Sequence, residues 1–455
     1  MKVFRFAAVL ALGTSTALIA LLQPLSAAEV KLDADLGQSV LQSGRSGKVY
    51  LRLSLKTLIA QESDRERRTP VNVALVLDRS GSMQGERIAA AREAARMALA
   101  RLGREDIVAL VAYNHNVDVL QRAERLTSHE RLASIIDGLQ AGGTTALYAG
   151  VEQGGREVKE YLSDNKINRV ILMSDGLANV GPSTPKELGE LGRKLGSEGI
   201  SVTTIGFGLE YNEDLMQRLA AASDGNHAFA EKPEDLLRIF NSEFGDALSV
   251  SAKDITITIE CKLGFKPIRL LGREGTISGS RITLKINQLQ ADSERYVVAE
   301  LEAPNDQRDG AADIADVSVS YLDLDRNARA EADAKVEARF SKSESEAEAS
   351  LNKAVMSQVS AQIATEENER AVELRDKGDI AGARKLLEDN AANIGRLKDL
   401  YASGAAPAPA ASVKQLDELE KKNREAASNL DESNWERTRK SMRYDQHKSK
   451  VQQSY

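Results

Sequence analysis

The run Val71-Asn-Val-Ala-Leu-Val-Leu-Asp78-Arg-Ser80-Gly-Ser82 decides how the rest of the chain is read. Its first seven residues are almost continuously apolar. A strand of that composition is covered on both faces, as in a parallel sheet with helices on either side. Asp78 to Ser82 are small and polar, and stand where such a strand ends. In an open α/β sheet, the carboxyl ends of the strands are where ligands sit. One carboxylate and two hydroxyls, spaced by two, can turn their oxygens toward a common point. Hard oxygen ligands of this kind suit Mg²⁺, Mn²⁺ or Ca²⁺ and do not suit zinc or copper.

Outward from this run, strand and helix signals alternate to about residue 245. Strands are expected at Ile107–Ala112, Arg169–Ser174 and Ser201–Phe207. Helices are expected at Gly85–Leu102, His129–Gly138, Ala146–Leu162, Pro185–Gly196 and Asn212–Ala222. Such alternation argues for a doubly wound α/β domain. Two further loops then fall at the same edge of the sheet. Gly142-Gly-Thr-Thr145-Ala-Leu-Tyr precedes a helix, and Ser174-Asp175-Gly176 ends a strand.

The three loops carry a family resemblance. Residues 70 to 245 resemble a von Willebrand factor type A domain, and the loops resemble its metal-ion-dependent adhesion site. That motif runs Asp-x-Ser-x-Ser, then a Thr after a Gly-rich turn, then an Asp at a later strand end. Asp78, Ser80, Ser82, Thr145 and Asp175 fill the five places. Thr145 is preferred to Thr144 because Ala-Leu-Tyr follows it at the family's usual offset. The resemblance implies a bound Mg²⁺ (or Mn²⁺ or Ca²⁺), with three neutral hydroxyls and two carboxylates bonding directly or through water. It further implies that a Glu or Asp from a protein partner completes the shell. Such a clamp needs no nucleophile or general base, so a non-enzymatic protein is expected. Two alternatives are a structural envelope component whose metal only staples loops, and an accessory subunit of an enzyme system.

On either side the hydrophobic period is two. Val30, Leu32, Ala34 and Leu36 form one alternating run, and Val49, Leu51, Leu53 and Leu55 another. Ile255, Ile257 and Ile259, then Ile282, Leu284 and Ile286, repeat the pattern later. These are strands with one buried face. Neither set alone makes a comfortable domain, so one β-sandwich interrupted by the α/β domain is expected. From Ser343 the chain turns helical, with an αα-hairpin about Gly378. The expected organisation is a signal peptide (1–28), first sandwich strands (29–68), the type A domain (69–248) and sandwich continuation (249–342). A helical hairpin (343–402), an Ala/Pro linker (403–412) and a polar tail (413–455), partly helical or disordered, complete it; its basic stretch Arg437–Lys450 reads as solvated, the alternative being a dock for an anionic surface or acidic partner. This layout resembles bacterial exported proteins labelled calcium-activated chloride channel homologues. A channel does not follow, because no later segment could span a bilayer.

The basic, apolar and small-residue stretches of the first 28 residues have the layout of an export signal. A periplasmic, cell-surface or secreted bacterial protein is therefore expected. The formal net charge is −7, from 61 Lys+Arg and 68 Asp+Glu. That makes a poor nucleic-acid binder, which needs basic faces to displace counterions. A single cysteine, Cys261, excludes an intramolecular disulfide framework, a zinc ribbon and any iron–sulfur cluster, and reads as a quiet buried thiol. The four histidines lack His-Glu-x-x-His spacing, and neither a phosphate loop nor Gly-x-Ser-x-Gly occurs.

Overall fold

The chain enters as strands β1 (Glu29–Leu36), β2 (Val40–Gln42) and β3 (Gly47–Leu58), before the apolar run forms β4 (Val71–Asp78). A computed structural model describes residues 29–58, 69–305, 308–403 and 407–452, so the expected export signal lies outside the described residues. After β4 come α1 (Glu86–Leu99), β5 (Ile107–Tyr113), β6 (Val117–Arg125), α2 (His129–Asp137), α3 (Leu147–Lys159) and β7 (Ile167–Ser174). Then follow α4 (Pro185–Ser197), β8 (Ser201–Phe207), α5 (Glu213–Ala222), β9 (His227–Ala230) and α6 (Pro233–Leu248). The sheet order is β6-β5-β4-β7-β8-β9, parallel except for β6.

β4 is buried at every position. Val71, Val73, Leu75 and Leu77 meet Ala91, Ala94 and Ala95 of α1 and Ile239, Phe240 and Phe244 of α6. Ala74 and Val76 face the other way, against Leu147 and Val151 of α3, Leu188 of α4 and Leu219 of α5. Alternation of the side chains across a strand thus feeds two separate cores, which explains why the run shows no polar period. Gly154 lets α3 approach the sheet, since a Cβ there would lie 2.5 Å from Cγ2 of Val76.

One buried ion pair fastens α6 to this sheet. Nη1 of Arg169 on β7 donates to Oε2 of Glu243 on α6 at 3.1 Å, and both side chains are almost wholly buried. Thr203 Oγ1 donates to the same oxygen at 2.9 Å, and Asn226 Nδ2 to Oε1 at 2.8 Å. Removing one partner of a buried pair leaves an uncompensated charge.

The strands outside this region fall into two further sheets. β10 (Val250–Cys261), β11 (Lys266–Leu271), β12 (Thr276–Ser278), β13 (Arg281–Gln290), β14 (Glu294–Ala303), β15 (Gly310–Asp323) and β16 (Ala328–Ser341) follow α6. One sheet has the order β1-β3-β14-β11 and the other β12-β13-β10-β15-β16-β2. Strands from the two sides of the α/β region therefore pair directly, as Leu51 with Ala299 and Leu53 with Val297. Leu51 and Leu53 share one core with Ile257, Leu284, Val297 and Val319. Cys261 is buried at its edge, and burial pushes its thiol up to about 11. β16 escapes a search for apolar alternation because it alternates alanine with charged residues.

The C-terminal quarter is α7 (Glu344–Ala349), α8 (Lys353–Asp376), α9 (Ile380–Ala402), α10 (Ala410–Ser428) and α11 (Glu432–Val451). The expected hairpin is present as α8 and α9. The expected linker is shorter, since α10 already begins at Ala410. The tail expected to be partly helical or disordered is helical as α10 and α11, but its basic stretch is not solvated: α11 packs on α5, β9 and α8. Its charges find partners between about 60 and more than 200 residues away, which no local pattern reveals. Arg439 pairs with Glu213, Asp214 and Asp376. Lys440 Nζ, buried, donates to Tyr211 O at 2.8 Å and Glu213 Oε2 at 2.7 Å. Among the described residues no helix is long and apolar enough to cross a membrane.

His447 of α11 is buried against Gly225 O at 3.1 Å, and its ring meets that of His227 edge-on. Burial pulls His447 down to about 4, against the pull of Gly225 O and Asp224 and with the help of Lys450 and Arg273. The folded protein therefore holds this ring neutral where the unfolded chain protonates it. Its contribution is complete above the ordinary value of 6.5 and is lost as pH falls toward about 4. Acidification from pH 7 to 4.5 should cost less in His447→Gln than in the wild type, the difference approaching about 3 kcal/mol in urea denaturation. In the same assay Glu243→Ala should lower stability by about 3–5 kcal/mol at pH 7.

Candidate functional site

Three loops meet beyond the carboxyl end of β4, between β5 and β7, where the strand order changes direction. The first loop turns sharply because the Ser80 amide donates to Asp78 Oδ1 at 2.7 Å, and a short 3-10 turn, Gly81–Met83, follows. It is zipped to the second loop by Gly81 N–H to Gly143 O at 2.9 Å and Gly142 N–H to Arg79 O at 2.8 Å. Gly143 takes a positive φ of 88°, and a Cβ there would lie 2.4 Å from His115 Nδ1, so only glycine serves. The second loop is tied to the third by the Thr145 amide donating to Asn179 Oδ1 at 2.8 Å. Asn179 N–H returns a bond to Thr145 O at 3.1 Å.

This lattice of backbone bonds brings the side chains together. Ser80 and Ser82 hydroxyls lie 3.0 Å apart, and Ser82 Oγ donates to Asp175 Oδ1 at 2.7 Å. A Cβ built on Gly176 would fall 3.1 Å from Ser82 Oγ, 3.4 Å from Thr145 Oγ1 and 3.7 Å from Ser80 Oγ. The three hydroxyls thus surround one small space beside the bare face of Gly176, with Asp175 joined to it through Ser82. Thr145 is buried there, whereas Thr144 is exposed. Asp78 sits behind Ser80, fully buried; its Oδ2 accepts from Ser174 Oγ at 2.5 Å and Tyr113 OH at 3.4 Å.

Burial raises both carboxyls. Asp78 is pushed up to about 6, even though Ser174 and Ser80 hold it down, and the Asp175 charge adds to the rise. Asp175 is raised for the same reason, opposed by Ser82 and Arg87. Two buried carboxylates on one site create a place for positive charge. The donor set is all oxygen and mostly neutral, which fits a hard divalent cation that keeps some water. Among the described residues no three His, Cys, Asp or Glu side chains gather as a metal cluster.

Sequence reading missed four residues of this neighbourhood. Ser174 is adjacent to Asp175 and was visible as a strand-end hydroxyl; Tyr113 ends a strand that was itself expected. Arg87, whose Nη1 reaches Asp175 Oδ2 at 2.9 Å, and Glu210, which pairs with Arg87 at 2.6 Å, carry no sequence signal.

With this geometry in place, comparison with known proteins identifies the domain class: residues 72–242 match the model of the von Willebrand factor type A domain. Domains of this type generally mediate protein–protein interaction. Among particular proteins, the chain is similar to an uncharacterized protein of Synechocystis, 28% identical over 201 residues, covering 44% of this chain and 47% of that one. It is also similar to the uncharacterized protein YfbK of Escherichia coli, 28% identical over 205 residues, 45% of this chain and 36% of that one. The chain thus spans less than half the length of these curated relatives. A solved von Willebrand factor type A structure from Catenulispora acidiphila shares the fold over 87% of this chain and 96% of that one. Its TM-score is 0.66 at 16% identity.

The buried Asp78 charge sets up a test of its own. Asn at position 78 keeps the acceptor for Ser80 and removes the charge. In EDTA at pH 7.5, Asp78→Asn should be more stable than the wild type by about 1–3 kcal/mol in urea denaturation. Millimolar Mn²⁺ should then stabilise the wild type alone and close that gap.

Proposed function

We propose that this is an exported, non-enzymatic protein that holds a divalent cation at Asp78, Ser80, Ser82, Thr145 and Asp175 and uses it to bind an acidic residue of a protein partner. The observation that carries the reading is the convergence of three hydroxyls on the space beside Gly176, with two buried carboxylates next to them. Mg²⁺ is the cation we favour, with Mn²⁺ and Ca²⁺ as substitutes. Bound there, it would supply an electrophilic centre with a position open to a partner's Asp or Glu. Ser80, Ser82 and Thr145 would hold it with their hydroxyls, Asp175 and Asp78 directly or through water, and Asp78 would also orient Ser80. Exposed Leu177 and Val180 on the third loop and His115 above the second would meet the partner around that carboxylate.

Export rests on the composition of the first 28 residues. The two outer sheets we read as a β-sandwich into which the type A domain is inserted, because their strands alternate across that domain yet share one core.

The site has a substitution that removes no donor. Gly176→Ala is compatible with the local backbone and fills the space among the hydroxyls. Calorimetric titration of Mn²⁺ into EDTA-stripped full-length protein should show saturable binding in the wild type, weakened at least roughly tenfold in Gly176→Ala. Binding that survives Gly176→Ala unchanged would place any cation elsewhere and end this reading.

A further inference from the structure

Arg87 is a charged side chain that reaches into this site from a helix. It is the second residue of α1, and a single nitrogen, Nη1, serves two carboxylates, Asp175 Oδ2 at 2.9 Å and Glu210 Oε2 at 2.6 Å. The two partners differ. Asp175 is fully buried and belongs to the hydroxyl cluster, whereas the Glu210 side chain is 60% exposed and lies outside it.

The surroundings hold the guanidinium at this fork. A Cβ on Gly208 would lie 3.4 Å from its Cζ and Nη2, so Arg87 lies against a glycine whose φ is +78°. Glu210 in turn sits on an anchored segment. The next residue, Tyr211, is buried with its ring over Gly206, and its carbonyl accepts from Lys440 Nζ of α11. Glu210 is therefore a fixed outer post and Asp175 an inner one, within reach of the same nitrogen.

We propose that Arg87 is a tethered counter-cation that competes with the divalent ion for Asp175, with Glu210 as the post that draws it away, so that this pair sets the affinity of the site. The inference rests on the metal reading above. A unit charge at ion-pair distance from a liganding carboxylate opposes a second cation there, and the low-dielectric surroundings of buried Asp175 strengthen the opposition. Glu210 relieves it by offering Arg87 another partner. Glu210 then acts through Arg87 and is a positioning residue.

The test is calorimetric titration of Mn²⁺ into EDTA-stripped full-length protein carrying Arg87→Gln, Arg87→Lys, Glu210→Gln, or Arg87→Gln with Glu210→Gln. Arg87→Gln should bind Mn²⁺ roughly tenfold more tightly than the wild type, and Glu210→Gln several-fold more weakly. Arg87→Lys, which keeps the charge, should stay near the wild type. In the double variant the Glu210 effect should largely vanish, because its intermediary is gone. Melting temperatures should follow, with Mn²⁺ raising that of Arg87→Gln by more than that of the wild type. Binding in the wild type with no tightening in Arg87→Gln overturns the proposal and leaves the metal site standing. So does a Glu210 effect that persists in full without Arg87, since Glu210 would then act only through its own charge. Silence from the wild type and every variant removes the metal site, and this proposal with it.

Discussion

The site depends on a carboxylate buried at the end of a strand that is itself buried on both faces. Asp78 can be there because β4 lies between two parallel neighbours and under helices on either side, a setting in which water does not reach its oxygens. The register then fixes the supporting cast. Tyr113 is the partner of Asp78 on β5, and Met173 that of Leu77 on β7, so Ser174 follows directly beside Asp78. A buried carboxylate without such donors would be neutralised or expelled. Here three donors hold it while its pKa still rises. The protein tolerates a locally unfavourable charge, a pattern common where function rather than stability selects the residue.

The remainder of the chain braces that sheet from outside. Lys253 of β10 reaches Ser163 O and Lys166 O at 3.4 and 3.3 Å, tying the outer strands to the turn before β7. Glu243 fastens α6, the helix that leads from the α/β region into β10. α11 clamps α5 from the opposite direction through Arg439, Lys440 and Arg443. Exposed ion pairs contribute little, but Lys440 and Glu213 are nearly out of reach of water, and their mutual loss of hydration makes the joint geometrically strict.

What was legible in the sequence follows from the range of each signal. A doubly buried strand and the helices after it leave periods within ten residues, so α1 to α5 were placed within a few residues of their ends. The five polar residues of the loops were legible because a motif gives both type and order. β6, β9 and α6 were not anticipated, and β16 was hidden because alanine between charges looks like a solvated segment. The packing of the tail is hidden for a related reason. Arg437 to Lys450 is a run of charge whose meaning depends on Glu213, Asp214 and Glu231, and only the folded chain puts those beside it. Arg87 illustrates the same limit at the site, being one arginine among many on an alanine-rich helix.

The pairing of β3 with β14 has a consequence for synthesis. Residues 47 to 58 emerge from the ribosome long before residues 294 to 303, so the longest early strand has no neighbour on that edge until two thirds of the chain exists. Lys440 cannot find Glu213 until the last helix is made. The central α/β sheet draws its strands from one continuous stretch and can close by itself, whereas the outer sheets must wait. The inner sheet therefore needs only residues 71–230 for its strands, whereas each outer sheet joins segments from both sides of that stretch, contacts of long sequence separation that are slow to form.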